Sequence, residues 1–182
     1  FSLLGLVILI ELFMPLFVSL IAPGFKSDPE KFILATDLTR ITFPFILFIS
    51  LASFFSAILN SHNKFAAASA APIILNIVLI IILLCARYLD DHLVIYMSYG
   101  VSIAGFIQMI FLILVLKKIY KPQFKLNLNI DNKIKSFFKK LLPSIFSSGV
   151  TQINILIGTI IASFQAGAVS YLYYADRMYQ IN

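Results

Sequence analysis

Apolar residues fall along this chain in five long, unbroken runs: Leu3 to Ala22, Ile41 to Leu59, Phe65 to Ala86, Leu93 to Leu116, and Leu141 to about Phe164. Each is close to the roughly 20 residues that a helix needs to cross a hydrocarbon layer about 30 Å thick. The runs are continuously apolar and lack the alternation of the roughly ten-residue strands of a membrane barrel, so they predict α-helices. A sixth helix begins near Ala168. The fold class expected is therefore an all-α integral membrane protein, a polytopic helical bundle. Residues 1–164 hold five spans with a basic amphipathic segment at 117–140, and residues 165–182 hold a turn and the start of a sixth span. The first run carries Glu11 and Pro15 and lacks a basic leader, so it reads as a true span rather than a signal peptide. The chain opens at Phe1 and stops just after a helix-like segment has begun, which reads as a piece of something longer.

Composition agrees with that pattern, with 60% hydrophobic and 12% charged residues against roughly 45–50% and 25% in soluble domains. The net charge of +6 would suggest nucleic acid in a soluble domain, but eight of the fourteen basic residues lie between Lys117 and Lys140. Such a cluster beside membrane spans records topology and attraction to anionic lipid, and no nucleic-acid partner is expected. The connections at 60–64 and 117–140 hold nine lysines, whereas those at 23–40 and 87–92 hold four lysines and arginines. The positive-inside bias therefore places the lysine-rich pair in the cytoplasm. Leu141 to Phe164 then runs outward, and the chain from Ala168 turns back in.

Within the basic stretch, "NLNIDNKIKSFFKKLLPS" sets Ile130, Ile134, Phe137, Phe138, Leu141 and Leu142 at helical spacing with Lys133, Lys135, Lys139 and Lys140 between them. Asp131 is the expected N-cap, and Pro143 the expected break before the next span. The segment reads as an amphipathic helix in the inner interface, its lysines toward anionic headgroups.

Soluble-type catalytic patterns are missing. The sequence has no glycine-rich phosphate loop followed by lysine and no zinc-type spacing, and its two histidines, His62 and His92, sit in opposite connections. Lone Cys85 reads as packing. No metal site and no cofactor are expected. What remains is polar side chains inside the spans, which need partners or water because an unpaired polar group in hydrocarbon costs several kcal/mol. Asn76 and Gln108 read as bonds between helices. Gln152, Asn154 and Gln180 are candidate cavity-lining residues, with Glu11 as another: with Pro15 one turn later, it either lines a cavity or accepts a bond at a kink.

The strongest case is Arg177. If the chain turns at Gln165 to Gly167, ten residues of helix carry Arg177 about 15 Å inward, roughly midplane depth. Two readings stay open. Either Arg177 snorkels while Tyr171, Tyr173, Tyr174 and Tyr179 form an interfacial belt, or it faces a hydrated cavity, held by Asp176 or by another carboxylate. Its planar fork suits phosphate oxygens in a way lysine cannot match.

The stretches "RITFPFILFISLASFFSAILNSHNKF" at 40–65, "APIILNI" at 71–77 and "TQINILIGTIIASFQAGAVSYLYYADRMYQ" at 151–180, with "APGF" at 22–25, resemble the MurJ (MviN) family of lipid II flippases. The resemblance covers nearly the whole chain. It implies a fourteen-helix transporter of the MOP exporter superfamily, two lobes around a central cavity, moving lipid II across the bacterial inner membrane. This chain would span about the third helix to the start of the eighth. It also implies substrate-binding roles for Arg177, from the motif matched by "YYADR", and for Ser170; Asp176 stands beside the arginine as a further candidate. Gln180 stands where some members carry glutamate, and Gly158 where some relatives carry a sodium-coordinating acid. Lipid II would cross with its diphosphate on Arg177 and its tail in lipid, by alternating access of the lobes and without covalent chemistry.

Three rivals remain. One is a flippase for another polyprenyl-diphosphate-linked oligosaccharide. A second is a membrane enzyme acting on a polyprenyl phosphate, which would need clustered acids for a divalent metal. The third is a structural scaffold, for which a buried Arg177 and Gln152 would be needlessly costly.

Overall fold

A computed structural model of the protein describes residues 2–86, 93–119 and 132–180. Every regular element among them is helical: α1 (Ser2–Leu12), α2 (Met14–Ile21), a short 3-10 turn (Pro23–Ser27), α3 (Pro29–Thr42), α4 (Phe45–Ser61), α5 (Phe65–Ala86), α6 (Leu93–Ile119), α7 (Asn132–Ala162) and α8 (Ala168–Gln180). Four described stretches are long and apolar enough to cross a membrane, and the broken pair α1 and α2 would make a fifth. The protein is an all-α, polytopic membrane protein. The Asp131 cap and the connections 87–92 and 120–131, with Arg87, His92, Lys121 and Lys125, lie outside the described residues.

Three boundaries differ from the hydropathy reading. The first run is interrupted at Phe13. Pro15 has no N–H to give the Glu11 carbonyl, and its ring crowds that carbonyl, which favours the break seen here. The connection expected at 23–40 is mostly helix: α3 covers Pro29–Thr42 and joins α4 to make a 33-residue stretch, about 50 Å long and so longer than the hydrocarbon is thick. Polar residues such as Glu30, Lys31 and Asp37 had masked it. Finally, Pro143 does not break the chain. It sits inside the continuous 31-residue α7. The carbonyl of Lys139 loses its backbone partner there, yet the helix continues through the residue.

The chain forms two compact units. The first comprises residues 1–15 and 33–123, and its core lies where α4, α5 and α6 meet, around Ala52, Leu59, Ala71, Leu112 and Leu116, with Phe55, Ile58 and Phe111 against them. Small residues make this approach close: the buried face of α6 includes Ser98, Gly100, Ala104 and Gly105. A Cβ on Gly105 would lie 2.5 Å from Phe45 Cδ2 and 3.3 Å from Phe48 Cβ. Ser102 adds a hydrogen bond, its Oγ donating to the Ile41 carbonyl at 2.6 Å. Helix α4 ends where Asn63 takes a left-handed φ of 58°. The Lys64 N–H then reaches the Leu59 carbonyl (2.9 Å) and the Asn63 N–H the Asn60 carbonyl (3.0 Å), the paired bonds of a Schellman stop.

Gln108 is buried on the same face of α6, but its Oε1 has no hydrogen-bond partner among the described residues, and Asn76 is exposed. Neither supports the expected interhelical bond. Replacing a buried amide whose oxygen is unsatisfied removes a desolvation cost of about 1–3 kcal/mol. Gln108→Met, close in volume, is thus expected to leave thermal stability in detergent unchanged or raise it. A drop of several degrees would mean that the amide is satisfied.

The second unit comprises residues 16–32 and 124–182, in which α7 and α8 form a hairpin. Its turn relies on Gly167, whose φ of +76° a side chain would strain.

Candidate functional site in the α7–α8 hairpin

Helix α8 is amphipathic, and its 3.6-residue period sorts its polar residues into two stripes. Ser170, Tyr174 and Arg177 follow at i, i+4 and i+7 and share one exposed stripe. Val169, Leu172, Tyr173 and Asp176 lie roughly 100° around the helix, on the side that meets α7. Tyr173 borders both: the Arg177 guanidinium carbon lies 5.0 Å from the centre of its ring, a cation–π distance.

Between α7 and α8 lies a groove of about 360 Å³, lined from α7 by Asn154, Ile155, Gly158 and Thr159, and from α8 by Val169, Leu172, Tyr173 and Asp176. A Cβ at Gly158 would meet Leu172 Cδ2 at 3.4 Å, an ordinary contact, so the approach of α8 does not depend on glycine there. The Thr159 hydroxyl donates to the Ile155 carbonyl at 2.9 Å, leaving its lone pairs facing outward. The groove therefore gathers a carboxylate, an amide and two hydroxyls, groups that accept hydrogen bonds from O–H and N–H donors. The other side of the hairpin is lined mostly by apolar residues such as Ile161, Ala162, Ala168 and Ala175, together with Gln165 and Tyr171.

The candidates from the sequence thus divide. Asn154 and Asp176 share the groove; Ser170 and Arg177 share the neighbouring stripe; Gln152 is exposed on α7 but does not line the groove. The side chain of Gln180 lies outside the described residues. Glu11 belongs to the first unit, where its Oε2 is 3.7 Å from Arg40 Nε, and its other oxygen, Oε1, is buried without a described partner. That pair ties α1 to α3. Periodicity along each helix could not have paired Glu11 with Arg40, nor joined Asn154 and Thr159 of α7 to Tyr173 and Asp176 of α8, since these residues meet only when separate helices pack. Among the described residues, no group of three His, Cys, Asp or Glu is placed to hold a metal ion.

The family model described as "Lipid II flippase MurJ" matches residues 1–182. The chain is similar to a probable lipid II flippase MurJ of Rickettsia prowazekii (strain Madrid E), 39% identical over 98% of this chain and 35% of that protein. A probable lipid II flippase MurJ of Rhizobium tropici is 40% identical over 100% of this chain and 35% of its own length. A lipid II flippase MurJ of Burkholderia cenocepacia is 35% identical over 87% of this chain and 32% of its own length. The chain spans about a third of the length of these curated relatives.

Proposed function

Because this chain belongs to the lipid II flippase MurJ family, we propose that it is a segment of a multi-pass transporter that moves lipid II across the bacterial inner membrane. The protein is a transporter and not an enzyme: it rebinds and releases the lipid without breaking a bond. Arg177 grips the diphosphate, with Ser170 on the same stripe two helical turns away, while the tail remains in lipid. The hydroxyl- and amide-rich headgroup passes the groove of Asn154 and Asp176, where a carboxylate would repel phosphate but accepts bonds from sugar and peptide. Gln152, Gln180 and Glu11 are further candidates for the cavity wall.

One observation carries this reading most: Arg177 and Ser170 form a cationic, hydroxyl-bearing stripe beside, yet apart from, the acceptor-lined groove, which suits a substrate that joins a diphosphate to a polar headgroup. The test is translocation by a full-length protein carrying this segment, reconstituted in vesicles. Fluorescent lipid II should be exchanged between leaflets faster than by empty vesicles. Movement of another polyprenyl-diphosphate-linked oligosaccharide but not of lipid II would overturn the substrate.

The orientation expected from the lysines puts Lys64, the 117–140 stretch and anionic inner-leaflet lipids on the cytoplasmic side, and the α7–α8 turn outside. In whole cells, in a Cys85→Ser background, Ser136→Cys should resist an impermeant maleimide and Gln165→Cys should react. The reverse pattern would invert the topology.

A further inference from the structure

Resting on the reading that Arg177 grips the diphosphate, we propose that Tyr173 is the positioning residue of that grip: the face of its ring holds the guanidinium in place on α8, and the strength of this hold sets the affinity for the diphosphate end of the lipid.

The spacing favours the contact. Long side chains on a helix lean toward its N-terminus, so an arginine lies back toward the residue four before it, and here that residue is Tyr173. The guanidinium carbon is 5.0 Å from the centre of the ring, inside the roughly 6 Å at which a ring face attracts a cation. The lean also matters for the stripe. Ser170 and Arg177 lie roughly 10 Å apart along the helix, and leaning back by one turn takes up about half of that distance. The cation and the hydroxyl are thereby drawn toward the span of two linked phosphates.

The ring is itself anchored. Tyr173 is less exposed than the other tyrosines of α8, at 56% against 64% for Tyr174, 74% for Tyr171 and 82% for Tyr179, and it lines the groove with Asn154 and Ile155 of α7. Tyr174 meets it edge to face, with ring centres 6.1 Å apart and planes at 71°. A ring braced by a second helix gives the long arginine side chain a fixed reference. The hold acts through charge on the ring face and not through an oxygen acceptor, so it orients the fork without competing for the N–H groups that phosphate needs. An arginine without such a hold extends toward water, and its ligand then bears the entropy of ordering it.

The test is the lipid II affinity of the full-length protein with phenylalanine and its mono-, di- and trifluoro forms placed in turn at position 173. The hydroxyl is absent from every member, so only the charge of the ring face varies, each fluorine drawing electron density away from it. Affinity should fall in even steps, about twofold to fivefold over the series as expected for a cation held over a ring at an exposed site, with abundance and melting temperature unchanged. Tyr173→Leu, which removes the face outright, should match the trifluoro form or lose more, and Tyr173→Phe should recover that loss. A polyprenyl diphosphate lacking sugar and peptide should show the same steps, since the ring acts on the diphosphate end. A flat series, with Arg177→Ala still losing affinity, would leave the grip standing and overturn the role of Tyr173. Steps seen with lipid II but not with the polyprenyl diphosphate would put the ring on the headgroup in the groove, which overturns it too. Normal affinity in Arg177→Ala would remove the diphosphate reading itself, and the proposal with it.

Discussion

Arg177→Ala in the full-length protein is expected to abolish lipid II flipping while membrane abundance stays normal, and Arg177→Lys is expected to recover little of it. The guanidinium is held against Tyr173 on an exposed stripe of α8, ten residues into a helix whose start is fixed by the Gly167 turn. Its fork engages two phosphate oxygens at once, whereas an ammonium offers a point charge at a different reach. Truncating one partner of a desolvated, hydrogen-bonded charge pair costs about 2–5 kcal/mol, or roughly 30-fold to several thousand-fold in affinity. Complementation, abundance and lipid II binding measured together separate the alternatives. A snorkelling arginine would tolerate lysine. An arginine serving a buried structural pair would lose abundance on truncation, because it leaves a charge behind. Normal flipping by Arg177→Ala at normal abundance would remove the phosphate grip.

Gly105→Leu is expected to lower abundance severalfold, with Gly105→Ala intermediate. The α4–α6 approach leaves no room at this position: even a Cβ meets the Phe45 ring, and behind it stands the Cβ of Phe48, which cannot turn away without the backbone. For alanine, the Phe45 ring can rotate outward at a cost of about 1 kcal/mol. Leucine must part the helices, and overpacking of this kind costs about 1–3 kcal/mol, enough to change steady-state levels several times over. The core that suffers includes Ala52 and Leu112, so the loss should appear as a lower unfolding temperature of the solubilised protein as well. If Gly105→Leu accumulates and melts as the parent does, the close contact is not a feature of the folded protein.

Much of the fold was legible because hydropathy reads solvent directly: a residue run that must sit in lipid has to be apolar, and α5, α6 and α8 begin within a residue of the positions expected. Backbone events were harder. Pro15 and Pro143 are alike in sequence terms, but the helix is interrupted near the first and continues through the second. The difference depends on what surrounds the freed carbonyl, which no periodicity encodes. Helix α3 was hidden for the opposite reason, being helical without being apolar. At the candidate site, the turn and the place of Arg177 ten residues into α8 followed from counting residues, since distance along a helix is linear in sequence. Contacts across the turn did not: Asn154 and Asp176 line one groove, and Gly24 reaches Ser163, only because separate segments pack together. The "APGF" stretch was conspicuous in sequence, but its partner, the hydroxyl of Ser163 far along the chain, was not.

The uninterrupted course of α7 has a consequence for how this protein tolerates change in length. Lys139 near one end and the groove residues Asn154 and Thr159 near the other are carried by the same helical screw, so the angle between them is set by residue count alone. One residue inserted between Ser144 and Val150 would rotate the lysine face by about 100° against the groove, whereas four would nearly restore its phase at the cost of about 6 Å in length. Substitutions there can be absorbed locally, because Ile145, Phe146 and Val150 are all exposed. Single insertions and deletions cannot, and the helix should therefore vary freely in the identity of these residues while keeping their number.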